Sequence, residues 1–233
     1  MPRGTRPRYA REKFQQKLFG SGGSMARPTS GTDKKLKDAG RRLLEEKGIT
    51  GLAVREVCRL AGVNTGMFHY YFGSRDEFLR AVLKDIYSEF MLNFKAGVSV
   101  AGTPRARLKN ALVEIGRFAL GIRNAAPMVF SDISLGNKEA FAFVKGNFTE
   151  HIKYIVELLG ECRPASAVSG SSLPFLVAAV VPVMIFPVLM GGVMERNGVK
   201  ELLGLPLEKI REEIFSEAGI AERAEIALRG IGL

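Results

Sequence analysis

The chain of 233 residues has no tryptophan, two cysteines and two histidines. Cys58 and Cys162 are too few and too far apart for a disulfide framework or a zinc site, so a reducing, cytoplasmic compartment is expected. His69 and His151 belong to no cluster with metal-ligand spacing, and neither stands beside a nucleophile in a recognisable catalytic pattern. A phosphate-binding glycine loop is also missing. The sequence therefore predicts no enzyme, no metal and no cofactor. No window alternates polar and apolar residues as a half-buried strand does. The first thirty residues lack the apolar stretch of a secretory signal.

Basic charge is present, and it is unevenly spread. Residues 1–30 carry seven bases against one acid, residues 31–95 twelve against nine, and residues 96–233 fifteen against fourteen. A basic end calls for a polyanionic partner, nucleic acid or an anionic membrane. Residues 1–31 mix Arg and Lys with GSGGS and RPTSG and read as a flexible basic arm able to follow phosphates. Met25 offers a second start, which would make the first 24 residues an upstream extension. From Leu173 to Met194 the chain runs 22 residues without a charge, long enough to span a bilayer. Pro174, Pro182, Pro187, a Gly-Gly pair and the lack of an aromatic belt or flanking basic cluster favour a helix buried in the protein or between subunits. A homodimer that covers this segment is expected. A membrane-associated basic helical protein anchored by 173–194 is the alternative.

Helical periodicity accounts for most of the remainder. DKKLKDAGRRLLEEK places Leu36, Gly40, Leu43 and Leu44 on one face, and Gly48 stops it. VREVCRLAG forms a second short stripe ending at Gly62, and Asn64 is a good N-cap for a third helix through Tyr71. Ser74-Arg-Asp-Glu77 is a capping box for a fourth, in which Phe78, Val82, Ile86, Phe90 and Phe94 hold the spacing for five turns. Thr103-Pro104 opens another helix, a short apolar piece covers Pro127 to Leu135, and a long helix carries Phe141 to Leu159. The expected class is all-α.

GVNTGMFHYYFGSRDEFL sets Phe68, Tyr70, Tyr71 and Phe72 within five positions. The helix at 54–61, the Gly62-Val63 turn and the helix from 64 have the spacing of a helix-turn-helix, whose second helix lies in the major groove. Phe68 and Phe72, four apart, should pack inward on Val57. Thr65, Met67, His69 and Tyr70 should point at least partly outward, and Gly66 allows the backbone to approach DNA.

LAVREVCRLAGVNTGMFHYYFGSRDEFLRAVL resembles the amino-terminal DNA-binding domain of TetR-family transcriptional regulators over about residues 33–90. The resemblance implies a three-helix DNA-binding domain followed by a larger helical domain for ligand binding and dimerisation. The boundaries would be an arm over 1–31, the DNA-binding domain over 32–92 with its motif at about 53–72, and the helical domain over 93–233. It implies base contacts from Asn64, Thr65, Gly66 and Met67, and DNA-facing positions for Tyr70 and Tyr71. His69 stands where the family often has a phosphate-binding tyrosine, Ser74 opens the fourth helix, and Arg75 matches a basic residue near phosphate. Ala53 replaces the usual Thr or Ser, which removes a capping contact. The partners implied are a double-stranded, palindromic DNA operator and a small effector, with no membrane.

In the middle of the chain Phe90, Phe94, Phe118, Ile122, Met128, Phe130 and Phe148 enrich a segment poor in polar anchors. They read as plain core or as the lining of an apolar ligand pocket. Together these readings predict a repressor released from its operator by a small apolar molecule.

Overall fold

The computed structural model describes residues 31–162 and 172–233, except for the side chains of Asn147 and Phe148. Among the described residues there are ten helices: α1 Thr32–Lys47, α2 Val54–Ala61, α3 Thr65–Phe72, α4 Arg75–Val98, α5 Pro104–Gly121, α6 Ala125–Ser134, α7 Lys138–Cys162, α8 Leu173–Arg196, α9 Leu207–Phe215 and α10 Glu217–Gly230. The expected basic arm falls, but for its last residue, outside the described residues.

The starts of these helices follow local chemistry. Asn64 accepts the Met67 N–H at 2.8 Å, Ser74 accepts that of Glu77 at 3.1 Å, and Thr103 accepts that of Ala106 at 3.2 Å ahead of Pro104. The Ser74 box is only half made, because the Ser74 N–H turns back to the Phe72 carbonyl at 2.8 Å. Ala53 caps nothing with its side chain. Gly62, at φ 66°, closes α2 while the Val63 N–H reaches the Cys58 carbonyl; a side chain there would be strained.

The class is all-α as expected, with one short hairpin added. Glu201–Leu202 pairs antiparallel with Leu205–Pro206 in a hairpin of two residues per strand. Its turn places Leu203 at φ 53° and Gly204 at φ 76°. Two residues per strand are too short for any period-two pattern to register in the sequence.

Residues 33–233 form one compact unit. Its apolar interior has two centres. One gathers Leu36, Leu43, Val57, Phe68, Phe78 and Val82 from α1–α4, joined by Ala125 of α6 and Ala140 of α7. The other gathers Phe90, Phe94, Leu112, Ile155, Met184 and Leu228 from α4, α5, α7, α8 and α10. Helix α4 runs through both, and Phe143 packs against both. Each large side chain fully buried contributes about 1.5–3 kcal/mol. Arg105 and Lys109 of α5 bind Glu225 of α10 at 2.6 and 3.1 Å, and Arg105 in first place holds that carboxyl down at about 2.

Helix α8 is long and apolar enough to cross a membrane. It lies instead along α5, α7 and α10, burying Leu176, Val180, Met184 and Val188 at every fourth position. Its other face leaves Phe175, Ala178, Ala179, Pro182, Val183 and Phe186 open, with Phe175 62% and Phe186 61% exposed.

Candidate nucleic-acid interface

Helices α2 and α3 with the Gly62 turn make a helix-turn-helix set on a shared core. The four rings of the opening motif divide by helical geometry. Phe68 is fully buried, its ring centroid 5.0 Å from Phe78 and 5.7 Å from Phe72. Tyr70, two positions on, is 55% exposed. The aromatic run therefore anchors the helix on one side and leaves hydrogen-bonding surface on the other.

The expected contact residues are placed as follows. Asn64, Thr65, Gly66, His69, Tyr70 and Ser74 are exposed, and Met67 and Tyr71 are half-buried. The side-chain oxygen of Asn64 is occupied by its capping bond. A Cβ added at Gly66 would meet only that oxygen, so the front of α3 presents bare backbone. His69 donates from Nδ1 to the Gly73 carbonyl at 2.8 Å, which caps α3 and fixes the ring. Tyr71 leans toward α1 and α4, lining a cleft of about 370 Å³ with Lys37 and Lys84.

Arg75 does something the sequence did not suggest. Its Nε donates to the Leu52 carbonyl at 2.8 Å and its Nη2 to the Ile49 carbonyl at 2.6 Å. Its Nη1 lies 3.6 Å from both Asp76 and Glu139. The guanidinium is thus committed to the loop between α1 and α2 rather than turned outward.

Asp132 of α6 grips the other polar edge of that loop. Its carboxylate accepts the Ile49 N–H at 2.7 Å, the Thr50 N–H at 3.4 Å and the Thr50 hydroxyl. Gly48 permits the approach: it sits at φ 69°, and a Cβ there would come within 2.9 Å of the carboxylate. Arg196, in the last turn of α8, donates to the carbonyls of Glu45 and Asn124 at 2.7 and 3.0 Å and to that of Glu46 at 3.3 Å. A cation there also favours the carboxyl end of α1. Carbonyls and N–H groups around the first turn of the reading head are thus held by charged side chains from α4, α6 and α8. Sequence reasoning missed Asp132 and Arg196 because 83 and 151 residues separate them from the partners they bind. Arg55 and Arg59 were also missed, although their four-residue spacing on α2 was a readable signal; both are exposed beside α3.

Of the seven residues expected to line a ligand pocket, the six with described side chains do not all meet at one place. Phe90, Phe94 and Phe118 do: Phe90 stacks on Phe118 at 4.3 Å and packs on Phe94 at 5.5 Å. His151 enters this group edge-on to Phe90 at 5.2 Å, with Nδ1 3.1 Å from the Tyr87 hydroxyl. Burial pushes its pKa down to about 4 and that of Tyr87 up to about 12. Ile122 is half-buried at the end of α5. Met128 lies against Gly48, with its Cβ 3.2 Å from where a Gly48 Cβ would stand, and Phe130 is 48% exposed. The separation has a simple cause: α6 packs against α1–α4, so its side chains face a different core from those of α5. The side chain of Phe148 falls outside the described residues. No group of three or more His, Cys, Asp or Glu able to hold a metal occurs among the described residues.

An exposed helix-turn-helix on a three-helix core, joined to a larger helical layer, defines the class of helix-turn-helix DNA-binding proteins. Residues 36–82 match the family of bacterial regulatory proteins described as the tetR family. That match covers 47 of the 233 residues, the segment that carries the helix-turn-helix. It is 32% identical over 82 residues to the HTH-type transcriptional regulator BetI of Rhizobium meliloti, a match covering 35% of this chain and 40% of that protein. The BetI of Brucella canis is 28% identical over 75 residues, 32% of this chain and 38% of that protein. The chain thus spans about two-fifths of the length of the curated relatives it matches. Its fold is that of the Bacillus subtilis transcriptional regulator FadR, solved with stearoyl-CoA, at a TM-score of 0.63 and 16% identity over 85% of this chain and 98% of that one. The TetR-family regulator PfmR of Thermus thermophilus superposes with a TM-score of 0.58 at 15% identity, over 86% and 100%. The comparisons lend no support to a membrane anchor.

Proposed function

We propose that the protein is a ligand-responsive transcriptional repressor. A dimer binds a palindromic operator through two α3 helices, and a small molecule releases it. The reading head would cover residues 32–92 and the effector and dimerisation domain 93–233. The single observation that carries this reading is the grip of Asp132, Arg75 and Arg196 on the first turn of the reading head. A shift of α6 or α8 reaches the recognition helix through bonds already made, which is what a change of quaternary spacing requires. FadR, crystallised with stearoyl-CoA, supports an effector with a large apolar part.

Thr65, Gly66, Met67 and Tyr70 would face base edges, with Asn64 and Ser74 shaping the helix starts and His69 offering Nε2 to phosphate. Tyr71 and Arg75 would act from behind by holding the frame. Thr65→Ala and Tyr70→Ala are each expected to lose about 1–3 kcal/mol of discrimination at particular base pairs. Arg55→Ala should weaken all duplexes alike and reduce the salt slope by about 0.9. Binding titrations on operator and scrambled duplexes across a salt series separate the two effects. Uniform loss in both sets of variants would remove the base-reading face.

The open stripe of α8 from Phe175 to Phe186 repeats at the spacing of a helix face and is apolar throughout. Such a stripe suits an isologous two-fold contact. Phe186→Asp is expected to yield soluble monomer, because the charge is hydrated in one subunit and buried without a partner in two. Sedimentation of the unaltered chain as a monomer at micromolar concentration would refute this interface.

A further inference from the structure

A cleft of about 520 Å³ opens between the first half of α4 and the start of α7. Its floor is apolar: Leu79 and Leu83 are buried beneath it, and Ala142 and Phe143 of α7 form the facing wall. Its rim is basic, carrying Arg80, Lys84 and Lys138. No acid lies within ion-pair distance of these three cations among the described residues. The acids nearby are taken. Asp76 and Glu139, which share the rim, both face Arg75 at 3.6 Å, and Asp85 beside Lys84 is held by Lys37 and Arg41 at 3.2 and 3.5 Å.

We infer that this cleft binds an amphipathic anion, a molecule with an apolar body and a carboxylate or phosphate head. The volume falls within the range of small-molecule sites, roughly 300–1,000 Å³. Leu79, Leu83, Ala142 and Phe143 supply the desolvating surface for the body. Arg80 and Lys84, four residues apart on one face of α4, and Lys138 across the gap converge on the head. Long basic side chains lay their methylene stems along such a body while their charges stay at its mouth. The two α4 cations stand back from the Ser74 end of that helix, Arg80 by about 9 Å. Lys84 lies about 15 Å along α4 from Ser74, at 1.5 Å per residue, and the opposite wall is α7 rather than α3.

The site also has a route to the reading head. Glu139 borders the cleft and faces Arg75, whose other nitrogens hold the Ile49 and Leu52 carbonyls. A head group that draws Lys138 inward moves Glu139 with it and alters the grip of Arg75. This link rests on the proposed effector response; binding in the cleft does not.

The test uses the full chain and four probes below micelle-forming concentration: laurate, dodecyl phosphate, dodecanol as body alone and inorganic phosphate as head alone. Calorimetric titration is expected to show saturable binding of the two amphipathic anions and much weaker binding of either half. The double variant Arg80→Gln, Lys138→Gln should weaken laurate about tenfold or more while leaving dodecanol unchanged. Both side chains are exposed and unpaired, so thermal unfolding of the variant should match the parent and exclude a folding defect. Absence of saturable laurate binding, or equal weakening of laurate and dodecanol, would overturn the site. Operator release is read separately. Charge-dependent laurate binding without any change in operator affinity would overturn the link through Glu139 and Arg75 while the binding site stands.

Discussion

Replacing Asp132 by alanine is expected to lower folding stability by about 3–4 kcal/mol. The carboxylate accepts two backbone N–H groups and a hydroxyl from the Ile49–Thr50 segment, where Ile49 is fully buried. Removing it orphans the buried Ile49 N–H, at about 1–3 kcal/mol, and loses two bonds from the exposed Thr50, each worth about 0.5–1.5 kcal/mol. For a chain of this size each kcal/mol moves the unfolding midpoint by about 2–4 °C, so a drop of about 6–16 °C is expected. Asp132→Asn keeps one acceptor oxygen at the same reach and should lose about half as much. Operator affinity should fall further than the unfolded fraction accounts for, because the same bonds hold the loop between α1 and α2 in position. Differential scanning calorimetry with operator titration well below the midpoint measures both. A midpoint within a degree or so of the parent's would show that the loop holds itself without the clamp.

Acid should destabilise the protein earlier than its carboxylates alone require, through His151. The residue is 3% exposed among Phe90, Phe94 and Tyr87, and burial holds its pKa at about 4 against an ordinary 6.5. Between those values the unfolded chain takes up a proton that the folded chain refuses. The contribution is therefore intact above pH 6.5 and is lost as pH falls toward 4. At 1.36 kcal/mol per unit, the full loss is about 3 kcal/mol, of which about 2 kcal/mol appears by about pH 5. Glu225 carries the opposite kind of shift. Arg105 and Lys109 depress its carboxyl to about 2 from 4.5, so its contribution is lost mostly below pH 4.5. The interval from about pH 6.5 to pH 5 thus isolates the histidine. Denaturant melts of the parent and of His151→Leu across that interval give the difference directly. Parallel stability curves for the two proteins would mean that His151 titrates normally and that its pocket admits water.

Much of the reading head was legible in the sequence because its determinants are local. Asn64, Ser74 and Thr103 cap the helices they precede, Gly62 turns where only a residue free of Cβ turns easily, and Phe68 packs inward because its helix has one apolar side. The period of α4 and the charge-free run of α8 announced helices for the same reason. What a single helix cannot specify is its neighbour. The run Leu173–Met194 carries one composition on every face, and only packing against α5, α7 and α10 separated the buried Val180 from the open Phe186. Met128 and Phe118 looked alike in sequence, yet α6 turned the first toward Gly48 while α5 turned the second toward Phe90. Arg75 had the signature of a phosphate ligand, and its carbonyl partners emerged only when the chain returned the Ile49–Leu52 loop to it. The sequence by itself determined the all-α class and the helix-turn-helix, since these rest on spacings within a few turns. The tertiary structure alone decided the clamp of Asp132 and Arg196, the buried state of His151 and the basic cleft over Leu83. Each of these joins residues far apart in the chain, and side-chain periodicity carries no information about which distant surface a helix will meet.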